Sequence, residues 1–205
     1  MEFNEVIERR RTVRSFAEKG VPEEKIIKAL DAGIKAPTYN HLREWDFILV
    51  KDMYVRMDIV KAEGIPDSFN MPELEKNFSD SDSLLKEMYL DAIPKQKSML
   101  LKTPELLVVV FKPKTKVEES KKIYDLNCLA SVWCCIENIL LALASENLFG
   151  VTYIPQKTDQ VKKVLGVPDQ LEVAAIIPFG YKEDETKTVN QKQVDLKQKI
   201  HFNRW

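Results

Sequence analysis

Residues 125–146 constrain this chain more than any other stretch. Leu126, Leu129, Trp133, Ile136, Leu140 and Leu143 recur at helical spacing on one face, and Cys128, Val132, Cys135 and Ile139 cover much of the next. A helix apolar over so much of its circumference must be covered on several sides, so it belongs at the centre of a packed domain or where two copies meet. A chain of 205 residues can build such a domain once, around one core.

The remaining segments supply the cover. Phe3, Val6 and Ile7 mark a short helix over 3–11, with arginines collecting at its C-terminal end, and residues 13–16 read as extended. Pro22 followed by Glu23 and Glu24 starts a helix striped by Ile26, Ile27, Leu30 and Ile34, which Pro37 ends. Phe47–Val50 is a short, continuously apolar strand, expected to be buried on both faces. A helix is expected over 51–63. The pattern then loses its period between Gly64 and Leu101, with short helices over 83–89 and 94–101, and this excursion reads as a lid over a site. Leu106–Phe111 is the clearest strand, and 112–122 is charged and exposed. Residues 151–154 and 172–179 read as further strands. Thr158 is expected to cap a helix through Val161, Val164 and Leu165 that stops at Gly166. The arm 181–205 is polar but ends on Ile200, His201, Phe202 and Trp205. Strands and long helices without regular βαβ alternation give an α+β fold in a single domain, 1–205.

Several functions are disfavoured at this level. A net charge of -1 gives no electrostatic case for nucleic acid. No uninterrupted apolar run approaches the roughly 18 residues of a membrane span, and the N-terminus lacks a signal-peptide core. Three cysteines clustered in one apolar helix fit reduced thiols, so a cytoplasmic location is expected. Cys134, Cys135 and Trp133 are expected in the core. The glycines make neither a dinucleotide fingerprint nor a phosphate loop, no CxxC pair suggests zinc, and there is no GxSxG elbow. A nucleotide-like cofactor would therefore be held by side chains. Four arginines within six residues (Arg9, Arg10, Arg11, Arg14), with Thr12 among them, suit that role, since the guanidinium fork matches phosphate oxygens and is always charged.

Four motifs in order resemble the nitroreductase family: Arg10-Arg11-Thr12-Val13-Arg14-Ser15-Phe16, Ala36-Pro37-Thr38 through Trp45, the helix and turn from Trp133 to Pro155, and Phe179-Gly180-Tyr181. The resemblance implies a mixed, mostly antiparallel sheet flanked by helices in an intertwined homodimer that holds FMN at its interface. It implies that Arg10, Arg11 and Thr12 lie along the phosphate and ribityl chain, and that Arg14 reaches the N1/O2 edge of the flavin. Thr38, Tyr39 and His41 would lie near the ring, with Ile154, Pro155, Gln156 and Lys157 against the isoalloxazine. Lys192 is the nearest candidate for the family's C-terminal phosphate ligand. His41 also matches the iodotyrosine-deiodinase-like branch, whose lid uses an acid, a tyrosine and a lysine; Glu87, Tyr89 and Lys95 or Lys97 offer those types. Three departures stand out: Arg43-Glu44 replaces Gln-Pro, the C-terminal basic pair is unclear, and Asn147 and Phe149 replace glycines. The implied activity is ping-pong transfer from NADH or NADPH, through FMN, to a small electron-poor acceptor such as a nitroaromatic or quinone. The flavin carries the chemistry, so no protein nucleophile is required. Reductive dehalogenation and non-catalytic flavin binding are the alternatives.

Overall fold

The computed structural model describes residues 1–186 and 188–205. Strands β1 (Trp45–Leu49), β2 (Glu105–Phe111), β3 (Phe149–Gly150) and β4 (Glu172–Gly180) form one sheet in the order β1-β2-β4-β3. Every ladder is antiparallel; the parallel pairing is an isolated bridge from Thr12 to Gly150. The helices are α1 (Phe3–Arg9), α2 (Glu23–Ile34), α3 (Met53–Glu63), α4 (Met71–Asn77), α5 (Ser83–Leu101), α6 (Asn127–Ser145) and α7 (Thr158–Leu165).

Side-chain alternation along β2 makes this a three-layer molecule. Leu107, Val109 and Phe111 enter one core with Ile26 and Ala29 of α2 and Val132, Cys135, Ile136 and Ile139 of α6. Leu106, Val108 and Val110 enter a second core with Ile59 and Val60 of α3, Met99 and Leu100 of α5 and Val161 of α7. With helices on both faces, β2 is buried along its whole length, and full burial of each such side chain stabilises by about 1.5–3 kcal/mol.

β1 differs from expectation. It is an edge strand whose Asp46 is exposed and whose Phe47, Ile48 and Leu49 are only half-buried. An apolar run has the same appearance whether its strand is central or at an edge covered mainly by neighbouring side chains. In place of the expected strand over 151–154, β3 lies just before it and 151–154 keeps one bridge, in which Tyr153 and Ile176 exchange hydrogen bonds of 2.7 and 2.8 Å. The segment 83–101 is one helix rather than two. α5 runs through Pro94, with Asp82 capping its start by accepting from the Leu84 and Leu85 amides and with Met99 and Leu100 anchoring its end. Proline removes one hydrogen bond from a helix interior, and here the packed end and capped start hold the helix across that gap. Thr158 is the first residue of α7 rather than its cap, and its hydroxyl donates to the Pro155 carbonyl at 3.4 Å. α3 and α7 both stop on a left-handed glycine, Gly64 at φ 69° and Gly166 at φ 63°.

α6 is the central helix, preceded by a tight turn over Ile123–Leu126. Its length and composition alone would pass for a membrane span, but one side packs on α2 and the sheet. Its other side remains uncovered: Cys134 is exposed and Trp133 is 36% exposed, so neither is a core residue of this chain. Cys135 is buried, and burial pushes its thiol up to about 12. α2 approaches α6 at Gly33. A Cβ there would meet Ile139 Cγ1 at 2.7 Å and Cys135 Sγ at 3.0 Å. Gly33→Ala is therefore expected to destabilise by about 1–3 kcal/mol through overpacking, read as a lower urea midpoint with an unchanged m-value.

Candidate cofactor site

The arginine segment is stitched to the end of the sheet. Val13 is buried and its amide donates to the Gly150 carbonyl at 3.3 Å; Phe16 bridges to Lys182. With Val13 turned inward, the arginines fan apart. Arg9 donates to Asn147 at 2.6 Å, and Arg10 pairs with Glu137 of α6 at 3.5 Å. Arg11 donates to Gln191 at 2.6 Å, and Arg14 pairs with Asp91 of α5 at 3.0 Å.

Two clefts of about 420 Å³ each meet at Arg14. The first lies between Arg11, Thr12 and Arg14 on one side, Leu84, Leu85 and Met88 of α5 on another, and the tail residues 188–192 on a third. Lys192 thus joins Arg11, Thr12 and Arg14, where it lies 3.8 Å from Asp82. The second cleft runs from Arg14 past Glu63, Gly64, Ala92 and Gln96 to Tyr153, Ile154 and Gln156. α5 is a common wall because Leu84, Leu85, Met88, Ala92, Gln96 and Met99 recur at helical spacing.

One carboxylate fixes the far end of the second cleft. Glu63, 7% exposed, accepts from Tyr153 Oη at 2.6 Å, from the Gln156 amide at 2.8 Å and from the Lys157 amide at 2.9 Å. Burial and this carboxylate both raise the Tyr153 phenol above its ordinary range. The clamp leaves Pro155 buried and presents Ile154, Gln156 and Lys157 outward. Ile154 and Gln156 also line a third hollow, of about 560 Å³, with Trp133 on the uncovered side of α6.

Thr38, Tyr39 and His41 form a separate, strained loop. Asn40, His41 and Arg43 are left-handed at φ 49°, 56° and 48°, a conformation costly for residues with a Cβ and frequent at functional sites. Ser131 of α6 accepts from the Tyr39 amide at 2.9 Å, Thr38 Oγ1 accepts from the Arg43 amide at 3.3 Å, and Arg43 Nε donates to the Ile34 carbonyl at 3.2 Å. Tyr39 Oη lies 2.5 Å from Tyr124 Oη, and that hydrogen bond is the largest cause raising the Tyr39 phenol. Lys114 covers the Tyr124 ring. Glu44 pairs with Lys112, not with Arg43.

The structure thus gathers Arg11, Thr12, Arg14 and Lys192 around one cleft and joins Ile154 and Gln156 to it through Arg14. Arg10 is turned to α6. Thr38, Tyr39 and His41 sit elsewhere. They lie by Trp45, which pairs with Phe111 opposite Glu172, whereas the arginines lie by Gly150, which pairs with Phe179. That separation is roughly 20–25 Å of strand. Sequence reasoning missed Glu63 and Asp91. Glu63 left a signal: an acid in the last turn opposes the helix dipole, so a carboxylate immediately before the Gly64 stop needs a partner.

The nitroreductase family model matches residues 7–181. The iodotyrosine deiodinase of Thermotoga neapolitana is 26% identical over 181 residues, covering 88% of each chain. Among solved structures, an iodotyrosine deiodinase bound to FMN and 3-iodo-L-tyrosine superposes with a TM-score of 0.75 at 23% identity, covering 100% of both chains. An FMN-dependent nitroreductase from Clostridium difficile R20291 superposes with a TM-score of 0.69 at 20% identity, covering 98% of this chain and 99% of its own. These likenesses share the layered antiparallel fold described above. The chain belongs to the nitroreductase family.

Proposed function

We propose that this chain is an FMN-dependent oxidoreductase that works as a homodimer, oxidising NADH or NADPH and reducing a small electron-poor acceptor. The observation that carries this reading is the pair of clefts joined at Arg14. An end made cationic by Arg11 and Lys192, with the Thr12 hydroxyl beside them, suits a phosphate, and the cleft past Arg14 to Ile154 and Gln156 suits a planar ring. Each cleft lies in the size range of small-molecule sites. Bound FMN supplies the redox chemistry, accepting a hydride from the nicotinamide and passing electrons to the acceptor. Arg11 and Lys192 would hold the phosphate, with Thr12 beside them, and Arg14 would supply positive charge to the ring, whose reduced form carries negative charge. Arg10, braced by Glu137, adds positive charge from the α6 side. Glu63 fixes the 154–157 turn, Lys157 included, which would form one wall for the ring.

Thr38, Tyr39 and His41 reach this site only from a second copy. The uncovered side of α6 at Trp133 and Cys134, together with exposed Ile154, Ile200, Phe202 and Trp205, gives that copy an apolar surface to cover. The segment 64–101, through α5, forms the wall that excludes water and selects the acceptor. A cytoplasmic site of action fits the free thiols.

Dehalogenation of a halogenated tyrosine is the second reading, favoured by the sequence likeness to deiodinases. The side chains of the candidate amino-acid grip are exposed or engaged with other groups, and Glu87 is exposed. Lys95 is paired with Asp91, Lys97 with Asp67, and Tyr89 stacks on Phe78 at 4.6 Å. The two readings separate in one anaerobic experiment on FMN-loaded protein. The first expects NADH or NADPH to bleach the flavin absorbance and a nitroaromatic or quinone to restore it, with 3-iodo-L-tyrosine at least tenfold slower. Faster reoxidation by 3-iodo-L-tyrosine with iodide release would establish the second. A flavin that no nicotinamide bleaches would sink the first.

A further inference from the structure

We infer that Asp91 is a positioning residue that limits how strongly Arg14 stabilises the reduced flavin, and thereby lowers the midpoint potential of the bound cofactor; this rests on the FMN reading above. Arg14 stands where the two clefts join, the position from which a cation acts on the ring edge. It does not act there as a free charge. Its Nη1 donates to Asp91 Oδ2 at 3.0 Å, with the two side chains 13% and 22% exposed. Screening by solvent is weak at such exposure, so the carboxylate cancels much of the field the guanidinium would otherwise project. Asp91 is the one carboxylate in ion-pair contact with Arg14 among the described residues, and its other oxygen pairs with Lys95. The chain Lys95–Asp91–Arg14 therefore grades the positive charge presented to the cleft. Asp91 and Lys95 both sit on α5, the wall of that cleft.

Removing the Asp91 charge leaves Arg14 uncompensated, which favours the form of the ring that carries extra negative charge. Equilibrium reduction of FMN-loaded protein against a reference dye tests this. Asp91→Asn is expected to raise the ratio of reduced to oxidised FMN at fixed poise at least tenfold, about +30 mV for a two-electron couple. Asp91→Glu, which keeps the charge, is expected to stay within twofold of the unmodified protein. Lys95→Gln, which leaves Asp91 less neutralised, is expected to shift the ratio at least twofold the other way, and it decides the matter if Asp91→Asn releases FMN. A purely structural tether between α5 and the arginine segment would change melting temperature but not this ratio. An unchanged ratio in Asp91→Asn with FMN still bound, or no opposite shift in Lys95→Gln, overturns the inference. Failure of the unmodified protein to bind FMN would instead overturn the FMN reading.

Discussion

Glu63→Ala is expected to lower the unfolding free energy by about 3 kcal/mol or more. The carboxylate satisfies the Tyr153 hydroxyl and two backbone amides at once. Its removal strands the buried hydroxyl in the core, which costs about 1–3 kcal/mol, and takes the charged acceptor from two part-buried amides, which adds to that loss. Glu63→Gln keeps the shape and one acceptor oxygen but turns an NH2 toward a donor, so an intermediate loss is expected. Denaturant unfolding followed by circular dichroism measures both. A loss below 1 kcal/mol in the alanine variant would mean that water replaces the carboxylate and that the turn needs no clamp.

Arg11→Ala and Arg14→Ala are each expected to weaken FMN binding at least tenfold, because a hydrogen bond to a charged group contributes about 1.5–3 kcal/mol. Arg10→Ala is expected to weaken it as well, but less, since Arg10 pairs with Glu137 outside the cleft. Calorimetric titration of the apo-protein with FMN resolves the order. Unchanged affinity in both Arg11→Ala and Arg14→Ala would place the flavin elsewhere.

The parts legible in the sequence were those whose signal is local. β2, β4 and α6 announce themselves through long apolar runs, and the arginine cluster through charge density. The edge position of β1 was not legible, because Phe47–Leu49 is apolar whichever neighbours cover it. α5 was cut in two at Pro94 because a proline's local penalty is visible in sequence and its compensation by Asp82, Met99 and Leu100 is not. Trp133 and Cys134 were assigned to the core because periodicity reports how apolar a helix face is, and not whether one protomer covers it. Lys192 was legible only as a type, and the cleft with Arg11 and Arg14 identifies its neighbours. Glu63 shows in the sequence only as an acid at a helix end, and its partner Tyr153, 90 positions away, does not show at all; Asp91 leaves no signal, since Arg14 lies 77 positions from it.

Arg14 and Tyr39 lie far apart within one chain, so the proposed FMN site requires the proposed dimer. Sedimentation velocity of the FMN-titrated protein, followed at the flavin absorbance, tests it most directly. The flavin is expected to sediment with a species of twice the 23.7 kDa chain mass, at one FMN per chain. Flavin that stays at the meniscus, or that travels with the single chain, would contradict it.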